Sequence, residues 1–223
     1  TDREATNTLV KLLFKHKAKP NVTIADYRES ITRHLYNRML SRRLDELVHS
    51  QDPPFILALS SYADIVRTKS LYQLACITEE DGVDKGLSQL VTEAMRVKRF
   101  GFTSGELERA KEELLTAYES AFREREKTES SAYARECIDH FLKGEAIPGI
   151  AYEYGLYKHF LPEINLREVH DVTSDLITEE NRVVVITGPE ENEEKTAEIP
   201  EETELAAVLS EAAGKKLSPY RDD

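Results

Sequence analysis

The side chains that could hold a catalytic metal are scattered along this sequence. A zinc site built on a helix needs ligands one turn apart, as in HExxH or its inverse HxxEH, because only then do both side chains reach one ion. The histidines are His16, His34, His49, His140, His159 and His170. None begins either motif, and the best-spaced pair, His159 with Glu163, has Pro162 between its members. We therefore expect neither a metal nor any other cofactor in this chain, and no catalytic residue.

Nucleophilic and phosphate-binding motifs are also missing from the sequence. It contains no GxSxG elbow, no GxxxxGK followed by Ser or Thr, and no GxGxxG. The two cysteines, Cys76 and Cys137, lie far apart and outside any CxxC spacing. We predict no disulfide framework and no zinc knuckle. Both cysteines are interpreted as small buried apolar residues.

Charge and hydropathy exclude two classes of partner. The net charge of −12 argues against nucleic acid, because binding phosphates requires a concentrated basic surface. No apolar run approaches the roughly 20 residues of a membrane-spanning helix. The chain starts at Thr1 without a charged and then apolar leader, so we expect a soluble fragment or a mature product.

The excess negative charge is concentrated at the end of the sequence. Residues 190–223 contain eleven acidic and four basic side chains, a charge of roughly −7. This composition is typical of a solvated linker. We predict an acidic interdomain linker over 190–223, weakly attached to the rest except for one possible short helix from Glu201 to Ala213.

The pattern of apolar and polar residues before this linker predicts alternating strands and helices. Thr23 with Asp26 and Thr103 with Glu106 are capping-box signals at two helix starts. The predicted strands cover 6–17, 55–62, 70–78 and 182–187, and the predicted helices cover 24–49, 83–100, 103–131, 131–142, 152–160 and 166–177. The second and third strands form a hairpin-like pair joined by residues 63–69. We predict one α+β domain over 1–189, a mostly antiparallel sheet covered by helices on one face.

Several segments of the sequence resemble one family. They are DYRESI (26–31), LYNRMLSRRLDEL (35–47), QDPPF (51–55), KRFGFTSGELERAKEELL (98–115), KTESS (127–131), IPGIAYEY (147–154) and NRVVVITGP (181–189). In this order they resemble the non-catalytic second domain, in the first half, of pitrilysin/insulinase-type zinc metallopeptidases, in the bacterial PqqL-like branch. The domain over 1–189 is then a pitrilysin-type domain.

The resemblance implies a function for the whole polypeptide. The catalytic zinc would lie in another domain, which carries HxxEH, and this chain would form part of the wall of the peptide-binding chamber and help to hold substrate. Its partners would be that catalytic domain, the second half of the same polypeptide, and a peptide. Many inactive domains of relatives have an Arg and a Tyr seven residues apart; here the matching positions are His49 and Ile56, so no role is transferred to them. A periplasmic location is expected from the resemblance alone.

The resemblance also implies a place where substrate is held. In larger relatives a strand of this domain can pair with one end of a bound peptide through main-chain hydrogen bonds. The matching stretch runs from Leu59 to Cys76. The candidate substrate-anchoring residues are Ser60, Ser61, Tyr62, Ser70 and Tyr72.

Three other interpretations remain open at this point. The five residues could be ordinary sheet residues, with Tyr62 and Tyr72 packed on the core. The chain could instead be a free-standing peptidase-like binding or core-subunit module without proteolytic activity. An unrelated helical adaptor is the third interpretation, and a paired hairpin over residues 55–78 would argue against it.

Overall fold

The computed structural model describes residues 7–19, 21–79, 81–189 and 200–222. The elements in chain order are β1 (Thr8–Lys17), α1 (Ile24–Val48), β2 (Leu57–Val66), β3 (Lys69–Thr78), α2 (Val83–Phe100), α3 (Ser104–Arg123), α4 (Ser130–Lys143), α5 (Ile150–Phe160), α6 (Leu166–Leu176), β4 (Arg182–Thr187) and α7 (Glu202–Gly214).

The described strands form a four-stranded sheet in the order β2-β3-β1-β4, and each neighbouring pair is antiparallel. Side chains alternate between the faces, so Val10, Leu12 and Phe14 of β1 point into the core at 0–2% exposure. Helices α1, α2 and α6 pack against one another on this side. The opposite face carries exposed apolar side chains, including Leu57 and Val185. The predicted α+β fold, with an antiparallel sheet covered on one face, is confirmed.

The helix starts are set by local hydrogen bonds that the sequence encodes. The Thr23 hydroxyl accepts from the N–H group of Asp26, whose carboxylate accepts from the N–H group of Thr23. The same reciprocal pair joins Thr103 to Glu106. Each box satisfies N–H groups that have no partner within the helix. Both capping signals are confirmed.

Three local predictions are wrong. The predicted helix over 103–131 is too long, because α3 ends at Arg123 and the backbone is extended at Thr128 and Glu129 before α4 begins. Residues 63–69 are not a seven-residue connection, because β2 extends to Val66 and β3 begins at Lys69. Asp64 resembles a turn residue, but its carboxylate accepts from the Ser70 hydroxyl across the hairpin, and β-branched Ile65 and Val66 favour extended backbone. Cys137 is exposed rather than buried, since α4 buries no residue against the domain.

The described part of the C-terminal segment contacts the domain, and α7 lies where the short helix from Glu201 to Ala213 is predicted. Helix α7 packs on α2, with Ala212 fully buried. Arg99 donates to the carbonyl oxygens of Ala213 and Lys215, and the Tyr220 ring lies 4.2 Å from the guanidinium carbon of Arg43. The net charge of residues 190–223 does not indicate this contact, because it averages the most acidic stretch with a following helix that has an apolar side. Residues 190–199 lie outside the described residues, and a boundary at 189 stays a prediction.

Hydropathy along the described helices is low. None of them combines the length and the apolar character that crossing a bilayer would require.

Candidate functional site

Strand β2 forms one edge of the described sheet, since β3 is its only strand neighbour there. In an antiparallel pair, alternate residues bond to the partner strand and the residues between them point their N–H and C=O groups away. Ala18 lies opposite Thr68, and its N–H group donates to the Thr68 carbonyl. Hydrogen-bonded pairs recur at every second residue, so the even-numbered residues of β3 bond to β1. The main-chain groups of the odd-numbered residues of β3 therefore point to β2. The main-chain groups that point outward from β2 therefore belong to Ala58, Ser60, Tyr62 and Asp64.

The outward groups of Ser60 are already occupied by helix α1. Its N–H group donates to the Ser41 hydroxyl over 2.9 Å, and that hydroxyl donates back to the Ser60 carbonyl over 3.2 Å. The Ser60 hydroxyl in turn donates to Oδ1 of Asn37 over 2.7 Å. Ser60 is buried and joins β2 to α1 at this point.

The outward groups of Tyr62 and Asp64 have no hydrogen-bond partner among the described residues. A groove of about 130 Å³ lies beside them. It is lined by Lys19, Asn21, Ser30, Arg33, His34, Tyr62, Ala63, Asp64 and Glu145. The Arg33 guanidinium lies 5.0 Å from the centroid of the Tyr62 ring, a cation–π contact that fixes one wall of the groove. This stretch of edge is where an extended chain could pair with β2.

The other predicted anchoring residues have different surroundings. Tyr72 is fully buried in the interior strand β3, and burial raises its pKa well above the usual range. Ser70 is also fully buried, and its hydroxyl donates to Asp64. Ser61 points to the open face, where its hydroxyl accepts from Nε2 of Gln73 over 2.9 Å. These three residues shape the hairpin, but their main-chain groups do not point from the free edge.

Sequence reasoning missed Asp64 and Ser41. Asp64 falls in the predicted connection over residues 63–69. Continuing the two-residue alternation from Ala58 places its side chain on the same side of the strand as Tyr62. Ser41 carries no signal in the sequence, because its role depends on how α1 lies against β2.

A second group of polar side chains adjoins the groove at His34, which is one of its lining residues. The Tyr27 hydroxyl donates to the Glu153 carboxylate over 2.7 Å, and the Tyr157 hydroxyl bonds to Nδ1 of His34. Burial is the main cause of the raised pKa values of Tyr27 and Tyr157. Both phenols therefore stay protonated near neutral pH.

Within the described ranges, no group of three or more His, Cys, Asp or Glu side chains is arranged to hold a metal ion. The expectation of a chain without its own metal stays a prediction.

Comparison with known proteins gives one sequence relative and many structural ones. No family model matches the chain. A protein described as zinc protease PQQL-like, from Arabidopsis thaliana, is 27% identical over 177 residues, which cover 79% of this chain and 16% of that protein. The first half of the periplasmic protease PqqL from Escherichia coli superposes with a TM-score of 0.84 at 17% identity, covering 99% of this chain and 47% of that one. An inactive peptidase domain from Pseudomonas fluorescens gives 0.60 at 14% identity, over 88% of this chain and 43% of that one.

These matches show what the chain is similar to. The predicted resemblance to pitrilysin/insulinase-type peptidases is confirmed, including the likeness to a domain described as inactive. The structural likeness shows a shared fold. The chain spans less than half the length of each of these relatives.

Proposed function

We propose that this chain is a non-catalytic domain of a zinc metalloendopeptidase and forms part of the wall of its peptide-binding chamber. It holds an extended peptide against the free edge of β2. Its partners are a catalytic domain, which holds the zinc, and a second half in the same polypeptide. A periplasmic location is part of this proposal. The similarity to zinc proteases and to an inactive peptidase domain supports it.

The observation that carries the proposal is the pair of outward main-chain groups at Tyr62 and Asp64 beside a groove. Main-chain pairing at a sheet edge gives affinity for any extended peptide, whereas pockets beside the edge give selectivity. A chamber wall that handles varied peptides needs this kind of contact, because it does not depend on particular side chains of the substrate.

Such an edge would hold peptides weakly. A typical hydrogen bond contributes about 1 kcal/mol in water, so a few of them are largely offset by the cost of ordering the peptide. The benefit arises in a longer protein, where holding one end of a peptide raises the effective concentration of the other end at the zinc. Long peptides should therefore profit more than short ones.

The experiment is a binding titration of the 223-residue chain with a capped, fluorescent peptide of alternating Thr and Val, about ten residues long. Tyr62→Pro removes the outward N–H group, which no sheet bond uses, and Pro is tolerated at such edge positions. Tyr62→Ala is the matched control, because it removes the same ring and keeps the N–H group. We expect Tyr62→Pro to bind about fivefold more weakly than Tyr62→Ala. Equal affinities of two folded variants would contradict the proposal.

A second control changes the peptide and leaves the protein intact. Methylating every second peptide nitrogen keeps one edge of the strand able to pair, whereas methylating every nitrogen removes all its N–H donors. We expect the first peptide to bind and the second to fail. Retained binding of the fully methylated peptide would show that side chains, rather than main-chain pairing, hold it.

A further inference from the structure

The hydroxyl of Ser41 occupies the edge of β2 as a neighbouring strand would. It accepts from the N–H group and donates to the C=O group of one residue, Ser60, which are the two bonds that a paired strand supplies at each outward position. Serine and threonine inside a helix often bond to the carbonyl four residues earlier, as Thr32 does with Arg28. Ser41 instead directs its proton to another element.

The neighbouring residues hold this arrangement in place. Asn37, one turn before Ser41, donates through Nδ2 to the Arg33 carbonyl over 2.9 Å and accepts from the Ser60 hydroxyl. That hydroxyl also lies 3.2 Å from the hydroxyl of Tyr72, which is fully buried. A peptide pairing at Ser60 would have to displace a hydroxyl that lies in this network.

The other end of the open edge is also bounded. The pairing of β2 with β3 is regular up to Asp64 and irregular between Asp64 and Val66, and such a bulge twists the strand and interrupts the ladder. Between Ser60 and the bulge, the outward groups are those of Tyr62 and Asp64. Two residues of strand span about 7 Å, so about three peptide residues cover both positions.

We propose that Ser41 is a positioning residue that closes the edge at Ser60, so that a bound peptide pairs with Tyr62 and Asp64 and stops there. This inference rests on the proposed function and adds the register and extent of the contact. It makes the edge a short clamp for about three residues of main chain, rather than a long strand-exchange surface.

The test is hydrogen exchange of single amides in the 223-residue chain, with and without the capped peptide of alternating Thr and Val. In the free protein, Ser41→Ala should speed exchange at Ser60 by about fivefold or more, the factor expected for one lost hydrogen bond. With peptide, the wild-type chain should gain protection at Tyr62 and Asp64 but not at Ser60. In Ser41→Ala the protected stretch should extend to Ser60, and affinity should rise several-fold.

Two variants separate this role from simple packing. Ser41→Thr keeps the hydroxyl and should retain the wild-type boundary. Ser61→Ala removes a hydroxyl on the open face and should leave exchange at Ser60 unchanged.

The outcomes distinguish this inference from the function on which it rests. Unchanged exchange at Ser60 in free Ser41→Ala overturns the role of Ser41, and so does peptide protection of Ser60 in the wild-type chain. If the peptide protects no amide of β2 in any variant, the proposed function fails, and Ser41 then has no peptide to position. Both the proposed function and the role of Ser41 are supported if the peptide protects only Tyr62 and Asp64 in the wild-type chain and also protects Ser60 in Ser41→Ala.

Discussion

The buried ion pair between Arg43 and Glu106 joins α1 to the start of α3. Both side chains are nearly inaccessible, at 2% and 4% exposure, and two guanidinium nitrogens bond to the two carboxylate oxygens over 2.6 and 2.9 Å. The rings of Phe102 and Tyr220 lie 4.8 and 4.2 Å from the guanidinium carbon. The charge on Arg43 is therefore removed from water and depends on Glu106 for compensation.

Replacing Glu106 with Gln should strongly destabilise the domain. The substitution keeps the shape but leaves the buried Arg43 charge unpaired, which costs about 3 kcal/mol of unfolding free energy. Glu108→Gln is the matched control, since Glu108 is 68% exposed in its pair with Lys111 and should change stability by less than about 0.5 kcal/mol. Urea unfolding followed by circular dichroism measures both. Similar midpoints for the two variants would show that the buried pair contributes little.

The two cysteines should differ sharply in reactivity. Cys76 is 2% exposed, and burial raises the pKa of its thiol to about 12, so the reactive thiolate is scarce near neutral pH. Cys137 is exposed on α4. We expect brief iodoacetamide treatment of the native chain at about pH 8 to alkylate Cys137 and spare Cys76, as read by peptide mass spectrometry. Alkylation of both at similar rates would mean that the core opens readily.

At the scale of single elements, most of the fold could be predicted from the sequence. Hydropathy alternation in β1 and capping boxes at Thr23 and Thr103 act within a few residues, so local chemistry decides them. The extent of the hairpin was harder to predict, because Asp64 resembles a turn residue and its bond to Ser70 across the hairpin depends on the pairing of β2 with β3. The candidate site was located only in part. Tyr62 was identified, whereas Ser41 acts through the packing of α1 on β2.

Gly144, at the C-terminal end of α4, and Gly155, inside α5, provide a matched test of helix geometry. Gly144 ends α4 at a φ of +75° in the left-handed region, whereas Gly155 lies within α5. An added Cβ would meet nothing within 4 Å at either position, so only backbone conformation distinguishes them. Gly144→Ala should lower the free energy of unfolding by about 1 kcal/mol, whereas Gly155→Ala should raise it by about 0.5 kcal/mol. Thermal unfolding compares the two, and a stabilising Gly144→Ala would contradict the left-handed cap.

At the scale of the whole molecule, the described C-terminal residues complete the domain surface. Helix α7 covers α2, and Asp222 accepts from Arg109 and from the Thr103 hydroxyl at the start of α3. Tyr220 stacks on the buried Arg43. A composition-based boundary at 189 misses these contacts because each depends on residues more than a hundred positions earlier.

Removing residues 200–222 should therefore destabilise the rest of the chain. The deletion exposes the side of α2 that α7 covers and one face of Arg43. We expect it to lower the free energy of unfolding by roughly 3 kcal/mol or more. Tyr220→Ala should account for about 1–2 kcal/mol of it, and Tyr152→Ala, which removes a half-exposed ring, should cost less than about 0.5 kcal/mol. Chemical denaturation measures each. If the truncated chain unfolds at the same denaturant concentration as the whole one, residues 200–222 do not stabilise the domain and this segment is a linker.

The measurement that most directly tests peptide pairing at the β2 edge is a set of intermolecular nuclear Overhauser effects between the chain and the capped peptide of alternating Thr and Val. Paired antiparallel strands bring main-chain protons of the two molecules close together. The account predicts such contacts from peptide main-chain protons to Tyr62 and Asp64, ending before Ser60. Contacts confined to side chains of the open sheet face, such as Leu59 and Val185, or to α4, would contradict it.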